Sequence, residues 1–206
     1  FSVAVILPTR GLTWESVRAI ESVISQTHKN FKLIIINDSG SKIAGKLRKL
    51  IVSLGHKATL IDNKFNVGAA QSRNIGLQKA LNFDFVSFLD SDDEYISQKL
   101  SIQLEKMITL GGLISHTDYV AMERNRDLIN SAIVSTSLIQ GPKALQKIAS
   151  SGSPVATPTV MIAKNLLKKA LSKYKGEIFP NGEWGGEDTA AWIRLINLAD
   201  TKVVHI

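Results

Sequence analysis

From Val3 to Leu89 the chain alternates between short apolar runs and longer stretches whose apolar positions recur at helical spacing. Val3–Pro8 (VAVILP) and Phe31–Asn37 (FKLIIIN) are nearly continuous in apolar character, the pattern of strands covered on both faces of a parallel sheet. Ala58–Asp62 (ATLID) and Phe83–Leu89 extend the set of expected strands. Between them, Thr13–Gln26 spaces Val17, Ile20, Val23 and Ile24 for a helix, and Ile43–Leu54 and Gly68–Leu81 read as the next two helices. Such alternation predicts an α/β fold, a mainly parallel central sheet with helices on both faces.

After Tyr95 the rhythm changes. Ile96–Thr109 predicts a helix with Leu100, Leu104, Met107 and Ile108 on its apolar face. LISHTDYVAME (Leu113–Glu123) and DLINSAIVS (Asp127–Ser135) alternate in the manner of antiparallel strands. A short helix over Pro142–Ala149, a loop over Ser150–Pro158, a strand at TVMIA and a helix over Leu166–Leu171 follow. Gly176–Gly186 reads as a long loop, Glu187–Leu198 as a helix and Thr201–Ile206 as a last strand. Neither repeat nor linker interrupts the pattern, so residues 1–206 are expected to form one domain with two unequal halves, 1–95 and 96–206.

At 206 residues the chain can bury a full core, and its 44% hydrophobic and 21% charged content is that of a globular protein. The absence of cysteine excludes disulfides, thiolate metal sites and cysteine nucleophiles. No apolar stretch is long enough to span a bilayer, and no signal peptide is evident. A start at Phe1, directly on an apolar run, gives the expectation of a piece of a longer protein. The formal charge of +7 favours anionic partners. Its lysines and arginines are scattered over predicted helix surfaces, where solvated faces are the simpler explanation. Nothing resembles a nucleic-acid-binding signature, so nucleic acid is not an expected partner. The four histidines share no metal-ligand spacing, and His205 on the last strand is not expected to be a ligand.

The polar clusters fall at the ends of the predicted strands. Pro8-Thr9-Arg10-Gly11 follows the first, Asn37-Asp38-Ser39-Gly40 the second, Asn66-Val67-Gly68 the third and Asp90-Ser91-Asp92-Asp93 the fourth. Open α/β sheets bind ligands beyond the carboxyl ends of their strands, so these loops should share one rim. The turn PTRGLT lacks the glycine-rich dinucleotide fingerprint, and no P-loop lysine is present. Asp90 and Asp92, two apart on an extended segment, point to one side and make a hard-oxygen site for Mg²⁺ or Mn²⁺, completed by water and phosphate oxygens. A helix start, with Asp93 and Glu94 favouring the dipole, is the competing explanation.

VAVILPTRG, ESVISQTHKNFKLIIINDSGS, FNVGAAQSRNIGL, FLDSDDEY and GGEDTAAWIRL together resemble the family 2 glycosyltransferases of the GT-A fold. The likeness covers almost the whole chain, with SPVATPTVMIAKN as its weaker middle. It implies a nucleotide-binding half (1–95) and an acceptor-side half (96–206, with a smaller antiparallel portion). The implied activity is metal-dependent, inverting transfer of a sugar from a nucleoside diphosphate sugar, with UDP the expected nucleotide, to an acceptor hydroxyl in polysaccharide or glycoconjugate synthesis. By the same resemblance Asp92 ligates Mn²⁺ or Mg²⁺, and Asp90 assists the metal or holds the ribose. Pro8, Thr9, Arg10, Asp38, Arg73 and Ser91 serve the nucleotide. Asn37 departs from the family's acidic residue at that position. Asp188 matches the catalytic base, with Glu187 and Trp184 on the acceptor side.

Competing local explanations stand beside several of these roles. They are an Asx-turn at Asp38, a surface helix arginine at Arg73, a helix cap at Glu187-Asp188 and simple packing at Trp184. The resemblance further implies a glycan or lipid-linked acceptor, a cytoplasmic location at the inner face of the membrane, and peripheral membrane association. A non-catalytic sugar-nucleotide or carbohydrate-binding module is the alternative from another class. A nucleotidyltransferase is a weaker one, since PTRGLT is too sparse to hold a triphosphate. The donor sugar, the acceptor, the choice between the two metals and the oligomeric state are not encoded in any motif.

Overall fold

Period-two alternation decides which face each strand residue meets. Val3, Val5 and Leu7 join one buried cluster and Ala4 and Ile6 the other; Leu33 and Ile35 likewise oppose Ile34 and Ile36. Both faces are covered, which is why these runs show so little polar alternation. The computed structural model describes residues 1–11, 13–41, 45–120, 137–140, 143, 155–181, 186–198 and 202–206. Its strands are β1 (Val3–Thr9), β2 (Phe31–Asn37), β3 (Ala58–Asp62), β4 (Phe85–Phe88), β5 (Ile114–His116), β6 (Ser137–Gln140), β7 (Met161–Ala163) and β8 (Lys202–His205). Its helices are α1 (Trp14–Ile24), α2 (Lys46–Ser53), α3 (Gly68–Lys79), α4 (Lys99–Leu110), α5 (Lys164–Lys173) and α6 (Glu187–Ile196).

All eight strands form one sheet in the order β3-β2-β1-β4-β7-β5-β8-β6. The first four neighbours are mutually parallel. β7 runs antiparallel between β4 and β5, while β5 and β8 pair in parallel. The carboxyl ends of β1–β5 and β8 therefore share one rim with the amino end of β7. Helices α1, α2 and α4 supply residues to one apolar cluster, and α3, α5 and α6 to the other.

The expected strands and helices that fall on described residues are found with shifted ends. α4 begins at Lys99 rather than Ile96, because the Ile96 and Ser97 carbonyls accept from Gln26 Nε2 at 2.7 Å and Thr27 N at 2.8 Å, tying that segment to the end of α1. Only three residues of Leu113–Glu123 lie in β5, and that strand is parallel to one neighbour as well as antiparallel to the other. The strand expected over Asp127–Ser135 lies outside the described residues, as does the helix over Pro142–Ala149 apart from Lys143.

Helix α3 rides close on β1. A Cβ at Gly76 would sit 2.5 Å from Cγ2 of Ile6, a side chain with no exposure to move into. Gly76→Val is therefore expected to destabilise the domain by about 1–3 kcal/mol through overpacking. A lowered midpoint in urea at unchanged slope would bear this out.

Candidate active site

At the end of β2, Asn37 is fully buried and makes the Asx-turn, its Oδ1 accepting from Ser39 N at 3.2 Å. Its Nδ2 donates to Asp62 Oδ1 at 2.8 Å and to the Ser41 carbonyl at 2.6 Å. Asp38 does something else. Its carboxylate is buried and reaches across to the start of α3, which has no cap of its own. Oδ1 accepts from Asn63 Nδ2 at 2.8 Å and Val67 N at 2.9 Å, and Oδ2 from Gly68 N at 2.8 Å. Asn66 Nδ2 donates back to the Asp38 carbonyl at 2.9 Å. Asp38 thus caps a helix in trans, a carboxylate on orphaned N–H groups at the positive end of the dipole. Gly68, at φ 86°, takes the left-handed conformation this turn needs. Beside it, Thr9 is buried with Oγ1 donating to the Gly11 carbonyl at 2.7 Å, Pro8 is half-buried and Arg10 is exposed on the rim.

The acids after β4 do not cap a helix. The cap of α4 is Gln98, well beyond Asp93, and Glu94 instead pairs with Arg18, whose guanidinium lies 4.8 Å from the ring of Trp14. Asp93 N donates to the Asp90 carbonyl at 3.2 Å in a tight turn. Asp90 Oδ1 accepts from Arg73 Nη2 at 2.7 Å. Ser91 is half-buried, and Asp92 is exposed with no hydrogen-bond donor on its carboxylate among the described residues. Burial, with the charges of Asp90 and Asp92, pushes the Asp93 carboxyl up to about 6. Excess negative potential of this kind suits a divalent cation, so the residues present fit one. Among the described residues no three metal-capable side chains converge, so any such ion would draw further ligands from water and the bound substrate.

Arg73 is not a surface residue. Its side chain is 7% exposed, lies 5.5 Å over the ring of Phe179, and leaves Nε without a hydrogen-bond partner among the described residues. While Nη2 holds Asp90, Nη1 donates to Glu187 Oε1 at 3.3 Å, so one guanidinium joins the acid cluster to the first turn of α6. The next residue, Asn74, fixes Phe179 through its main chain, donating to the carbonyl at 2.8 Å and accepting from the amide at 3.0 Å. Phe179 packs with Phe88 and Trp192 at centroid distances of 5.4 Å each, forming the aromatic floor under the bridge.

Gly186, at φ 81°, opens α6, and Glu187 and Asp188 occupy its first turn. The half-buried Asp188 accepts from Thr189 N on Oδ1 at 2.7 Å and from Thr157 Oγ1 on Oδ2 at 3.2 Å. Thr157 lies within the weaker stretch of likeness, SPVATPTVMIAKN, whereas Asn63 and Phe179, which contact these residues, are marked by no motif in the sequence. Trp184 lies outside the described residues. His205 stacks on His116 at 4.6 Å and meets Asp118 Oδ1 at 2.9 Å.

Beneath the acid loop lies a buried lysine. Lys99 Nζ donates to Ser87 Oγ at 2.6 Å and sits 4.1 Å from the ring centroid of Tyr95, whose hydroxyl bonds Ser87 and the Phe88 carbonyl. Burial holds its amine well below the usual lysine range. With the folded value below the unfolded one, Lys99 takes up a proton on unfolding; its contribution is fully present above the unfolded value and is lost as pH falls. Lys99→Met is expected to match or exceed the wild-type Tm at neutral pH and to flatten the rise of Tm toward alkaline pH. Parallel Tm–pH curves for the two proteins would contradict this.

A profile of the glycosyl transferase family 2 matches residues 5–170. The chain belongs to this family. It is 33% identical over 196 residues to an uncharacterized glycosyltransferase of Rickettsia bellii, covering 94% of this chain and 26% of that protein. A UDP-Glc:α-D-GlcNAc-diphosphoundecaprenol β-1,3-glucosyltransferase of Escherichia coli, WfaP, is 26% identical over 178 residues, 86% of this chain and 63% of its own. Among solved structures, Staphylococcus aureus TarS superposes with a TM-score of 0.76 at 19% identity, over 100% of this chain and 35% of that one. A TarS fragment in complex with UDP-GlcNAc superposes at 0.73 and 17% identity, over 100% of this chain and 56% of that one. The fold is that of the GT-A glycosyltransferases. The family 2 chain spans 26–30% of the length of its Rickettsia relatives. Among the described residues no helix is long and apolar enough to cross a membrane.

Proposed function

We propose that the rim is the active site of an inverting glycosyltransferase that moves a hexose from a UDP-sugar to a hydroxyl of a lipid-linked glycan. The observation that carries this reading is the Arg73 bridge. A single buried cation draws together Asp90, at the strand end that suits a diphosphate, and Glu187, neighbour of the carboxylate best placed to act as a base. The relatives' names support the substrate class: WfaP takes UDP-Glc and a diphosphoundecaprenol-linked sugar, and TarS has been captured with UDP-GlcNAc. Such an acceptor places the reaction at the cytoplasmic face of a membrane, with the enzyme associated peripherally.

In this reading residues 1–95 hold the donor. Pro8, Thr9 and Arg10 border the uridine, with Arg10 offering a planar guanidinium to the base or the phosphates. Asp38 Oδ2, which has a single donor among the described residues, accepts a uracil N–H. Asp92 and Asp90 hold Mn²⁺ or Mg²⁺, which when bound stabilises the charge developing on the departing diphosphate. Arg73 and Ser91 line the same pocket. From the other half, Asp188 accepts the proton of the acceptor hydroxyl, Glu187 is held by Arg73 beside it, and Trp184 meets the acceptor. The acceptor oxygen forms its bond to the anomeric carbon as the bond from that carbon to the diphosphate breaks, with inversion and release of UDP. Proton removal must be concerted with this displacement, so the carboxylate has to lie within hydrogen-bond reach of the attacking oxygen.

The test is UDP release from a panel of UDP-hexoses and UDP-N-acetylhexosamines with a diphosphoundecaprenol-linked acceptor, with Mn²⁺ and with chelator. Acceptor-dependent release with Mn²⁺ that disappears with chelator is expected. Metal-dependent UDP binding without turnover on any pair would overturn the catalytic reading in favour of a binding module.

A further inference from the structure

SPVATPTVMIAKN is the one stretch of family likeness that the catalytic reading leaves without a part. Its central Thr157 is 3% exposed, at the start of a short 3-10 turn (Thr157–Thr159) that leads into β7. We infer that Thr157 is a positioning residue that holds the carboxylate of Asp188 in the orientation needed to receive the acceptor's proton. The inference rests on the assignment of Asp188 as the base and adds to it the group that fixes it.

Asp188 receives one donor from its own helix, Thr189 N on Oδ1 at 2.7 Å. A carboxylate tethered through one oxygen can still turn about its last side-chain bond, because such sp³–sp² torsions are broad. The second donor, Thr157 Oγ1 on Oδ2 at 3.2 Å, comes from a different element and a different direction. With both oxygens held, the plane of the carboxylate is defined. Each oxygen keeps a lone pair free for an incoming hydroxyl.

Thr157 itself is held firmly. Its carbonyl accepts from Val160 N at 3.2 Å, and Thr159 Oγ1 closes the turn on the Ala156 carbonyl at 2.6 Å. The Thr159 carbonyl accepts from Gln103 Nε2 on α4 at 2.7 Å and from Thr117 N at 3.3 Å, which locks the turn to the sheet. A second rung ties the same segment to α6. Trp192, one helical turn beyond Asp188 on the same face, donates Nε1 to the Val155 carbonyl at 3.1 Å. The segment before β7 thus grips α6 at two successive turns, and only the first grip falls on a group able to take part in chemistry.

The test uses Thr157→Val, which keeps the β-branched shape and removes the hydroxyl, with Thr157→Ser as the restoring variant. Losing a donor to a charged acceptor should lower kcat roughly 10–100-fold, with KM for donor and acceptor unchanged and with recovery in Thr157→Ser. Placed on Asp188→Asn, Thr157→Val should have no further effect on kcat, since the group it positions is gone. Wild-type kcat in Thr157→Val would overturn the inference, as would a raised acceptor KM at constant kcat or a loss that multiplies fully with Asp188→Asn. If Thr157→Val unfolds, Thr157→Ala at a temperature below its Tm takes its place in the same cycle. Full activity in Asp188→Asn alone would instead overturn the base assignment itself, a result independent of Thr157.

Discussion

Asp188→Asn is expected to lower kcat for sugar transfer by roughly 10²–10⁴-fold, the range that a positioned general base contributes. The substitution keeps size and shape, so binding of UDP and of the acceptor should be unchanged and Tm close to wild type. Asp188 lies in the first turn of α6, and Arg73 joins the adjacent Glu187 to Asp90. An amide in that position can still be held by Thr157 and Thr189 but does not take a proton from an alcohol at neutral pH. Steady-state rates at saturating donor and acceptor give the answer, and a fall of less than threefold would remove Asp188 from the mechanism.

The largest effect on stability should come from Asp38→Ala. Three donors, Asn63 Nδ2, Val67 N and Gly68 N, converge on this buried carboxylate. Removing it strands two backbone N–H groups and an amide at the start of α3, with no side chain of that helix to replace it. Hydrogen bonds to a charged acceptor and the penalty for unsatisfied buried donors put the loss at about 3 kcal/mol or more. For a domain of this size that lowers Tm by roughly 6–12 °C. Asp38→Asn should fall between, since one of its positions becomes a donor facing Gly68 N. A Tm for Asp38→Ala within a degree or two of wild type would show that the trans cap contributes little. Because Asp38 also borders the nucleotide in the proposed function, UDP affinity should be compared well below the variant's Tm, where a lost uracil contact and a loosened loop separate.

The first half of the fold could be read from local pattern because its signals are local. VAVILP and FKLIIIN are covered on both faces, and both are parallel strands of the sheet, as their apolar runs predict. The placement of the polar clusters on one rim follows from strand direction alone, and the strands deliver it. Later elements are three- and four-residue strands, β5 to β8, too short for periodicity to define. The antiparallel insertion of β7 between β4 and β5 depends on pairings far apart in sequence. The site shows the same division. Asp90, Asp92 and Asp188 stood out as residue types at strand ends and helix starts. Arg73 was assigned to the nucleotide by resemblance, with a surface arginine as the alternative, and its bridge could not be read locally because its partners, Asp90 and Glu187, lie 17 and 114 residues away. Asp38 was legible as a turn residue, but the turn is made by Asn37, and Asp38's partners lie on the far side of β3. Thr157 lay inside SPVATPTVMIAKN, but nothing in that stretch pointed to its contact, which comes only from the helix that packs against it.

The central claim is that the acids after β4 and the first turn of α6 face one cleft, with the leaving diphosphate between them. A crystal structure of the chain grown with UDP and Mn²⁺ and phased on the manganese anomalous signal tests it most directly. The account predicts a manganese peak at Asp90 and Asp92, with UDP bound on the same rim and its diphosphate on the side of the Asp188 carboxylate. UDP bound at another face, or bound on the rim with no manganese at Asp90 or Asp92, would contradict it.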